Sequence, residues 1–212
     1  MDLGEPKWRR RKEARPGEIV AAALEVFAEK GFAAARLDDI AARAGVSKGA
    51  LYLYFETKQD LFRAVVRDAV APNLDQVVVL ALSVDQPFAQ LARMFFTALP
   101  SVLSDGRIGA VAKMVVGESR NFPDLARVWH DMLISRALGV LTTLVTRGQE
   151  RGEVRPGDPR LHAFSLIGPM MLGVLWREVF TPVGAAPVDL KALAELHCET
   201  VLNGLLLEGA AA

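Results

Sequence analysis

Leu37–Phe55, LDDIAARAGVSKGALYLYF, reads as two short helices joined by a tight turn. Ile40, Ala41 and Ala44 recur at helical spacing and give the first helix one apolar face. Gly45 stands where that helix must stop and reverse, since only glycine enters the left-handed region without steric cost. Val46 is expected to plug the turn, and Ser47 to cap the second helix by accepting an orphan amide hydrogen. Leu51 and Phe55, four apart, pack the second helix onto the first, while Ala41 and Gly45 are small where the two cross. Lys48, Gly49, Ala50, Tyr52 and Tyr54 are left around the exposed side of the second helix. A helix-turn-helix presents its reading helix to the major groove in this way. A helical hairpin inside an all-α core would share the glycine and the serine cap. The second helix differs from such a hairpin by carrying a lysine and two tyrosines where a core helix carries aliphatics.

Upstream, Ile19, Ala23, Val26 and Phe27 form an apolar stripe at helical period, so a helix is expected from Pro16 to Lys30, ended by Gly31. Phe32 would seal the bottom of the resulting three-helix unit, because a helix-turn-helix alone buries too little surface to fold. Ahead of it, Lys7, Arg9, Arg10, Arg11, Lys12 and Arg15 make a basic arm, read either as a phosphate or minor-groove contact or as a solvated tail. Downstream, Thr57 is the expected cap of a fourth helix with Leu61, Phe62, Val65 and Val66 on its apolar face, and Lys58 stands beside its start, placed for a phosphate.

Ile19 to Phe62, with Phe27-x3-Gly31-Phe32, Asp39-Ile40-Ala41, Ala44-Gly45-Val46-Ser47, Gly49-Ala50-Leu51-Tyr52 and Tyr54-Phe55 followed by Lys58 and Leu61, resembles the DNA-binding domain of the TetR/AcrR transcriptional regulators. The resemblance implies that Lys48, Gly49 and Ala50 lie nearest the base edges, with Ser47 at the helix start. It also implies that Tyr52, Tyr54 and Lys58 hold the phosphate backbone. Many members place a Thr or Ser pair before the first helix of the motif. Here Ala35 and Arg36 stand there, so the cap is lost although Arg36 can still meet a phosphate as a cation. The same resemblance makes the fourth helix, continued from Asp68 towards Gln86, a lever between two domains.

The expected fold is all-α: a basic arm over residues 1–15, a helix-turn-helix domain over 16–62, and a larger helical ligand-binding and dimerisation domain over 63–212. Within the last, Phe88, Leu91, Phe95, Leu99 and Val102 define one helix, Ile108 to Val116 a second, and Pro123 opens a third that runs to about Arg151. GEVRPGDP, 152–159, is a loop by composition. Two later stretches, Leu161–Phe180 and Leu190–Leu207, are apolar nearly all round and need cover on all sides. A second copy supplies it through a twofold four-helix bundle, with Phe164, Gly168, Leu172, Leu175, Val201 and Leu205 as the expected interface; an internal core without a dimer is the alternative. Pro169 is expected to kink the first of the two. Phe95, Phe96, Met114, Phe122, Trp129, Met132, Met170 and Met171 are adaptable side chains of the kind that line pockets, though each could equally be core. The resemblance favours a pocket for an apolar or aromatic inducer, with Glu118, Asn121, Arg120 and His130 as its polar contacts.

Composition excludes several classes. Among 212 residues, 25 basic and 25 acidic side chains leave a formal net charge of zero, which argues against a nonspecific polycation. Cys198 is the only cysteine, so no intrachain disulfide forms, as suits a reducing cytoplasm. No signal-peptide pattern is present, and the longest uncharged run, Ala163–Trp176, falls short of the roughly 17–25 residues of a membrane span. Neither metal-site spacing nor Walker or Rossmann motifs occur, and His130-Asp131 and His197-Cys198 are neighbours that diverge on a helix, so no catalytic residue, metal or cofactor is expected. The reading is a cytoplasmic homodimeric one-component regulator, a repressor released from a near-palindromic double-stranded operator by a small-molecule inducer. The alternative is a helical small-molecule-binding or catalytic protein whose helix-turn-helix is structural only.

Overall fold

The computed structural model describes residues 7–70 and 85–208, with side chains over 16–68 and 85–208. The expected lever across 71–84 and the side chains of the basic arm lie outside the described residues. Helices account for the rest: α1 Lys7–Ala34, α2 Leu37–Arg43, α3 Lys48–Tyr52 and α4 Lys58–Val65, which runs into a π turn at Val66–Val70. After these come α5 Phe88–Ser104, α6 Gly106–Glu118, α7 Pro123–Trp129, a π turn His130–Ile134 leading into α8 Ser135–Glu150, α9 Pro159–Val179 and α10 Leu190–Leu205. Among the described residues there is no strand, only an isolated antiparallel pairing of Val154 with Leu206 that ties the 152–159 loop to the end of α10.

The first helix starts at Lys7 rather than Pro16. Lys, Arg, Glu and Ala are good helix formers, and no glycine or proline interrupts Lys7–Arg15, so the basic segment prolongs the helix. Pro16 sits inside it. At the other end Gly31 leaves helical geometry at φ 75°, as expected of the residue that stops the helix.

The small domain closes on itself. Ile19, Val26 and Phe27 of α1, Ile40 of α2, Leu51 of α3 and Leu61 and Phe62 of α4 are all 0–1% exposed. The rings of Phe27, Phe32 and Phe62 meet in tilted and edge-on pairs with centroids 5.5–6.3 Å apart. Burial of each such side chain stabilises the domain by about 1.5–3 kcal/mol before conformational entropy is counted. At the motif's turn Val46 N–H donates to Ala41 O at 3.0 Å and Gly45 N–H to Ala42 O at 3.2 Å, the paired bonds of a Schellman ending, with Gly45 at φ 65°. Backbone bonds therefore hold this turn, and Val46 is only half-buried rather than a plug.

In the larger domain α5 packs on α10, α8 on α9, and α9 also on α6 and α10; α6 additionally lies against α1 of the small domain. By length and composition the stretch Pro159–Val183 would pass for a membrane span, with a mean hydropathy of 1.3 in its most apolar window. The core helix of a folded domain passes the same test, and the uncharged run within it ends before Arg177. Its inner side, Ala163, Leu166, Met170 and Val174, is buried against the neighbouring helices. The helix continues through Pro169, which has no N–H for the carbonyl of Ser165 four residues earlier. His197 of α10 approaches that carbonyl, Nε2 to oxygen 3.0 Å, so this histidine satisfies a group the proline orphaned.

Candidate nucleic-acid interface

α3 begins with Ser47, whose hydroxyl accepts from Ala50 N–H at 3.2 Å. Leu51 anchors the helix from below with no exposed surface, which turns the opposite side outward. On that side Lys48 and Gly49 are exposed, Ala50 is half-buried, and Tyr52 and Tyr54 stand 43% and 37% exposed. A Cβ added at Gly49 would meet nothing within 4 Å, so the protein's own packing does not require glycine there. The bare backbone leaves room for something outside the protein. Lys48 Nζ pairs with Asp38 of α2 at 2.8 Å, and this hydrogen bond raises the lysine's pKa and keeps it a cation. Arg36 is exposed at the N-cap position of α2 and makes no side-chain cap, as its type requires.

Two features of this surface escaped the sequence reading. Asp38, ten residues before Lys48 and across the turn, sets where the lysine's ammonium sits. Leu53, at the C-cap of α3, is 84% exposed beside the two tyrosines. The local signal for Leu53 was available, because Leu51 and Phe55 fix the buried face and Leu53 falls off it.

Lys58 is a correction. Thr57 caps α4 as expected, its hydroxyl accepting from Asp60 N–H at 3.0 Å. The Lys58 ammonium, however, donates to three backbone carbonyls, Phe32 O at 2.5 Å, Ala35 O at 2.9 Å and Ala33 O at 3.1 Å, and lies 4.5 Å from the Phe32 ring centre. All three of its protons are engaged in tying the α1–α2 turn to α4, which leaves none for a phosphate. Burial pulls its pKa below the ordinary lysine value, against the attraction of Glu118.

The expected pocket is also redistributed. A cavity of about 260 Å³ lies between α5, α6, α7, α8 and α9, lined entirely by apolar residues: Leu99, Val102, Leu103, Ile108, Trp129, Leu133, Ile134, Ala137, Leu138, Leu141, Phe164, Ile167, Gly168 and Met171. Of the expected lining only Trp129 and Met171 are there. Phe95 is half-buried against α8 and α9, and Phe96 faces a separate groove between α5 and α10 that holds Arg93, Lys191 and the buried Cys198. Met114 and Met170 are buried in the core and Met132 is half-buried, outside the lining. Asn121 is exposed, and Phe122 stacks edge-on against Phe32 at 5.1 Å. Glu118 points to the small domain, where its two oxygens accept from Phe32 N–H and Ala33 N–H, each at 2.6 Å. Helical periodicity marked these side chains as facing inward but could not distinguish cavity, core and domain junction.

His130 and Asp131 do meet, Nδ1 to Oδ1 2.7 Å, at the start of the π turn. Both are about 60% exposed. Among the described residues no group of three His, Cys, Asp or Glu side chains is placed to hold a metal ion.

Comparison with known proteins agrees with this geometry. Residues 19–65 match the family described as bacterial regulatory proteins, tetR family, and residues 92–194 match the tetracyclin repressor-like C-terminal domain. The HTH-type transcriptional regulator YfiR of Bacillus subtilis (strain 168), itself uncharacterized, is 33% identical over 205 residues, 91% of this chain and 94% of that one. The fatty acid metabolism regulator protein of the same organism is 26% identical over 198 residues, 92% and 98% of the two chains. The crystal structure of the Bacillus subtilis transcriptional regulator FadR in complex with stearoyl-CoA superposes with a TM-score of 0.72 at 23% identity, covering 89% of this chain and 98% of that one. The capped reading helix, the apolar cavity in the larger domain and a match across both domains lead to one conclusion: the chain belongs to the TetR family of bacterial regulatory proteins.

Proposed function

We propose that this chain is a cytoplasmic, homodimeric, one-component repressor that binds a near-palindromic operator and is released by a small apolar or aromatic ligand, with no catalysis of its own. The observation that carries the reading is α3: capped, anchored by Leu51, and presenting Lys48, the bare backbone of Gly49, Tyr52 and Tyr54 outward. We assign base-edge contacts to Lys48, Gly49 and Ala50 and phosphate contacts to Arg36, Tyr52 and Tyr54, with residues 16–62 as the reading domain and 63–212 as the ligand and dimer domain. Two reading helices about 34–36 Å apart would enter successive major grooves on one side of the duplex.

The ligand chemistry follows from the cavity. The lining turns no polar surface inward, so a polar group taken inside would lose its water without replacement. Any polar head must stay at the rim, where Phe164 is 48% exposed. The relative crystallised with stearoyl-CoA joins an apolar tail to a large polar head. A second copy is supported by α9 and α10, where Leu161, Leu172 and Leu196 are 62–69% exposed and a Cβ at Gly168 would touch nothing. Phe164, Gly168, Leu172, Leu175 and Leu205 stay in the proposed interface. Val201 leaves it, because it is buried in its own subunit.

Enrichment of genomic fragments on the full-length protein tests the reading. Selective retention of one duplex over a scrambled competitor is expected, with affinity falling steeply as salt rises. Lys48→Ala should change which duplex is preferred, whereas Arg36→Ala should weaken all duplexes alike and lower the salt slope by about one. No selective retention, together with turnover of a metabolite, would favour a helical enzyme with a structural helix-turn-helix instead.

A further inference from the structure

The turn between α1 and α2, residues 31–35, carries the reading motif, yet its backbone groups are satisfied chiefly from elsewhere. One carboxylate of the larger domain, Glu118, accepts from the amides of Phe32 and Ala33 at 2.6 Å each. One ammonium of α4, Lys58, donates to the carbonyls of Phe32, Ala33 and Ala35. Gly31 makes the approach possible. It adopts φ 75°, and a Cβ there would collide with Glu118 Oε1. Beside this clasp the Phe122 ring packs on Phe32.

Glu118 is the last residue of α6, and its own carbonyl accepts from Asn121 and Phe122 N–H, forming the corner into α7. Both helices that meet at this corner are cavity walls, α6 through Ile108 and α7 through Trp129. Any change in cavity filling that shifts either wall acts on the corner, and the corner holds the reading motif by two charge-assisted hydrogen bonds. We propose that Glu118 is the coupling residue of this regulator: its carboxylate transmits the position of the α6–α7 corner to the α1–α2 turn, and so to α2 and α3. This assignment rests on the ligand-responsive reading above. It places a route of communication outside α4, and it gives Glu118 a positioning role in place of the ligand contact first expected of it.

The test needs no ligand. In full-length protein, amide hydrogen exchange at Phe32 and Ala33 should accelerate about tenfold or more in Glu118→Ala, while Glu118→Gln, which keeps one acceptor, falls between. Operator affinity is then measured in a double-mutant cycle with a cavity wall, using Trp129→Phe alongside Trp129→Ala in case the larger truncation fails to fold. Altering Trp129 should shift operator affinity about fivefold or more with Glu118 present and leave it nearly unchanged in Glu118→Ala, with Glu118→Gln between the two. Effects of Trp129 that persist undiminished without the carboxylate overturn the proposal, as does unchanged exchange at Phe32 and Ala33. If no duplex is retained at all, the regulator reading fails and the coupling with it; accelerated exchange in the variants would then mark that failure as one of function and not of the clasp.

Discussion

The small domain and the α9–α10 face solve the same problem in opposite ways. Around Phe27, Phe32 and Phe62 the first four helices bury a core built mainly from their own residues, with Phe122 of the larger domain added at its edge. On α9 and α10 the buried side, from Ala163 to Val174 and from Leu190 to Leu202, is just as apolar, but Leu161, Leu172 and Leu196 remain uncovered. A unit that must meet DNA needs its fold complete beforehand, with Lys48, Leu53, the tyrosines and Arg36 among the side chains turned outward. A face left open on a folded subunit needs a partner, and in the proposed dimer that partner also sets the distance between reading helices.

The largest expected effect strikes the closed domain. Phe62→Ala removes a side chain with no exposed surface from the centre of the ring cluster and should cost about 3–5 kcal/mol in denaturant unfolding, taking operator binding with it. A loss below 1 kcal/mol would mean that this core is not the closed unit described. Leu172→Glu probes the open face. Because Leu172 is 62% exposed in the single subunit, helicity should be kept, while light scattering reports monomers and operator affinity falls about a hundredfold or more. A variant that stays dimeric would move the interface elsewhere. Gly31→Ala acts at the junction of the two regions: strain at φ 75° and the collision with Glu118 should together cost about 1–3 kcal/mol. The unfolding midpoint measures it, and a neutral result would count against the clasp. Smallest is Thr57→Ala, which removes the α4 cap and should cost about 1 kcal/mol by the same measurement. A comparable loss from an exposed control such as Gln59→Ala would show that the cap contributes nothing particular.

Much of the reading motif was legible in order along the chain, because a cap, a turn glycine and an apolar stripe all act within about four residues. Ser47, Gly45, Thr57 and the stripe Ile19–Phe27 stand where local rules put them. Lys58 and Glu118 were misassigned for the converse reason. Their partners lie 23–26 and 85–86 positions away, and nothing in the local pattern of a lysine at a helix start or a glutamate at a helix end indicates which distant backbone it will meet. Val46 and Val201 show a subtler limit. Periodicity reports which side of a helix is apolar, not whether a neighbour from the same subunit already covers it.

From the amino acids alone came the helices, their ends and the identity of the side chains turned outward on α3, since these depend on steric and hydrogen-bonding rules between near neighbours. Tertiary structure decided which of the large apolar residues frame a cavity, why Pro169 needs His197, and that one carboxylate of the larger domain grips the turn ahead of the reading helices. Those outcomes depend on which surfaces the packed helices bring together, and distances through space are not encoded in spacing along the chain.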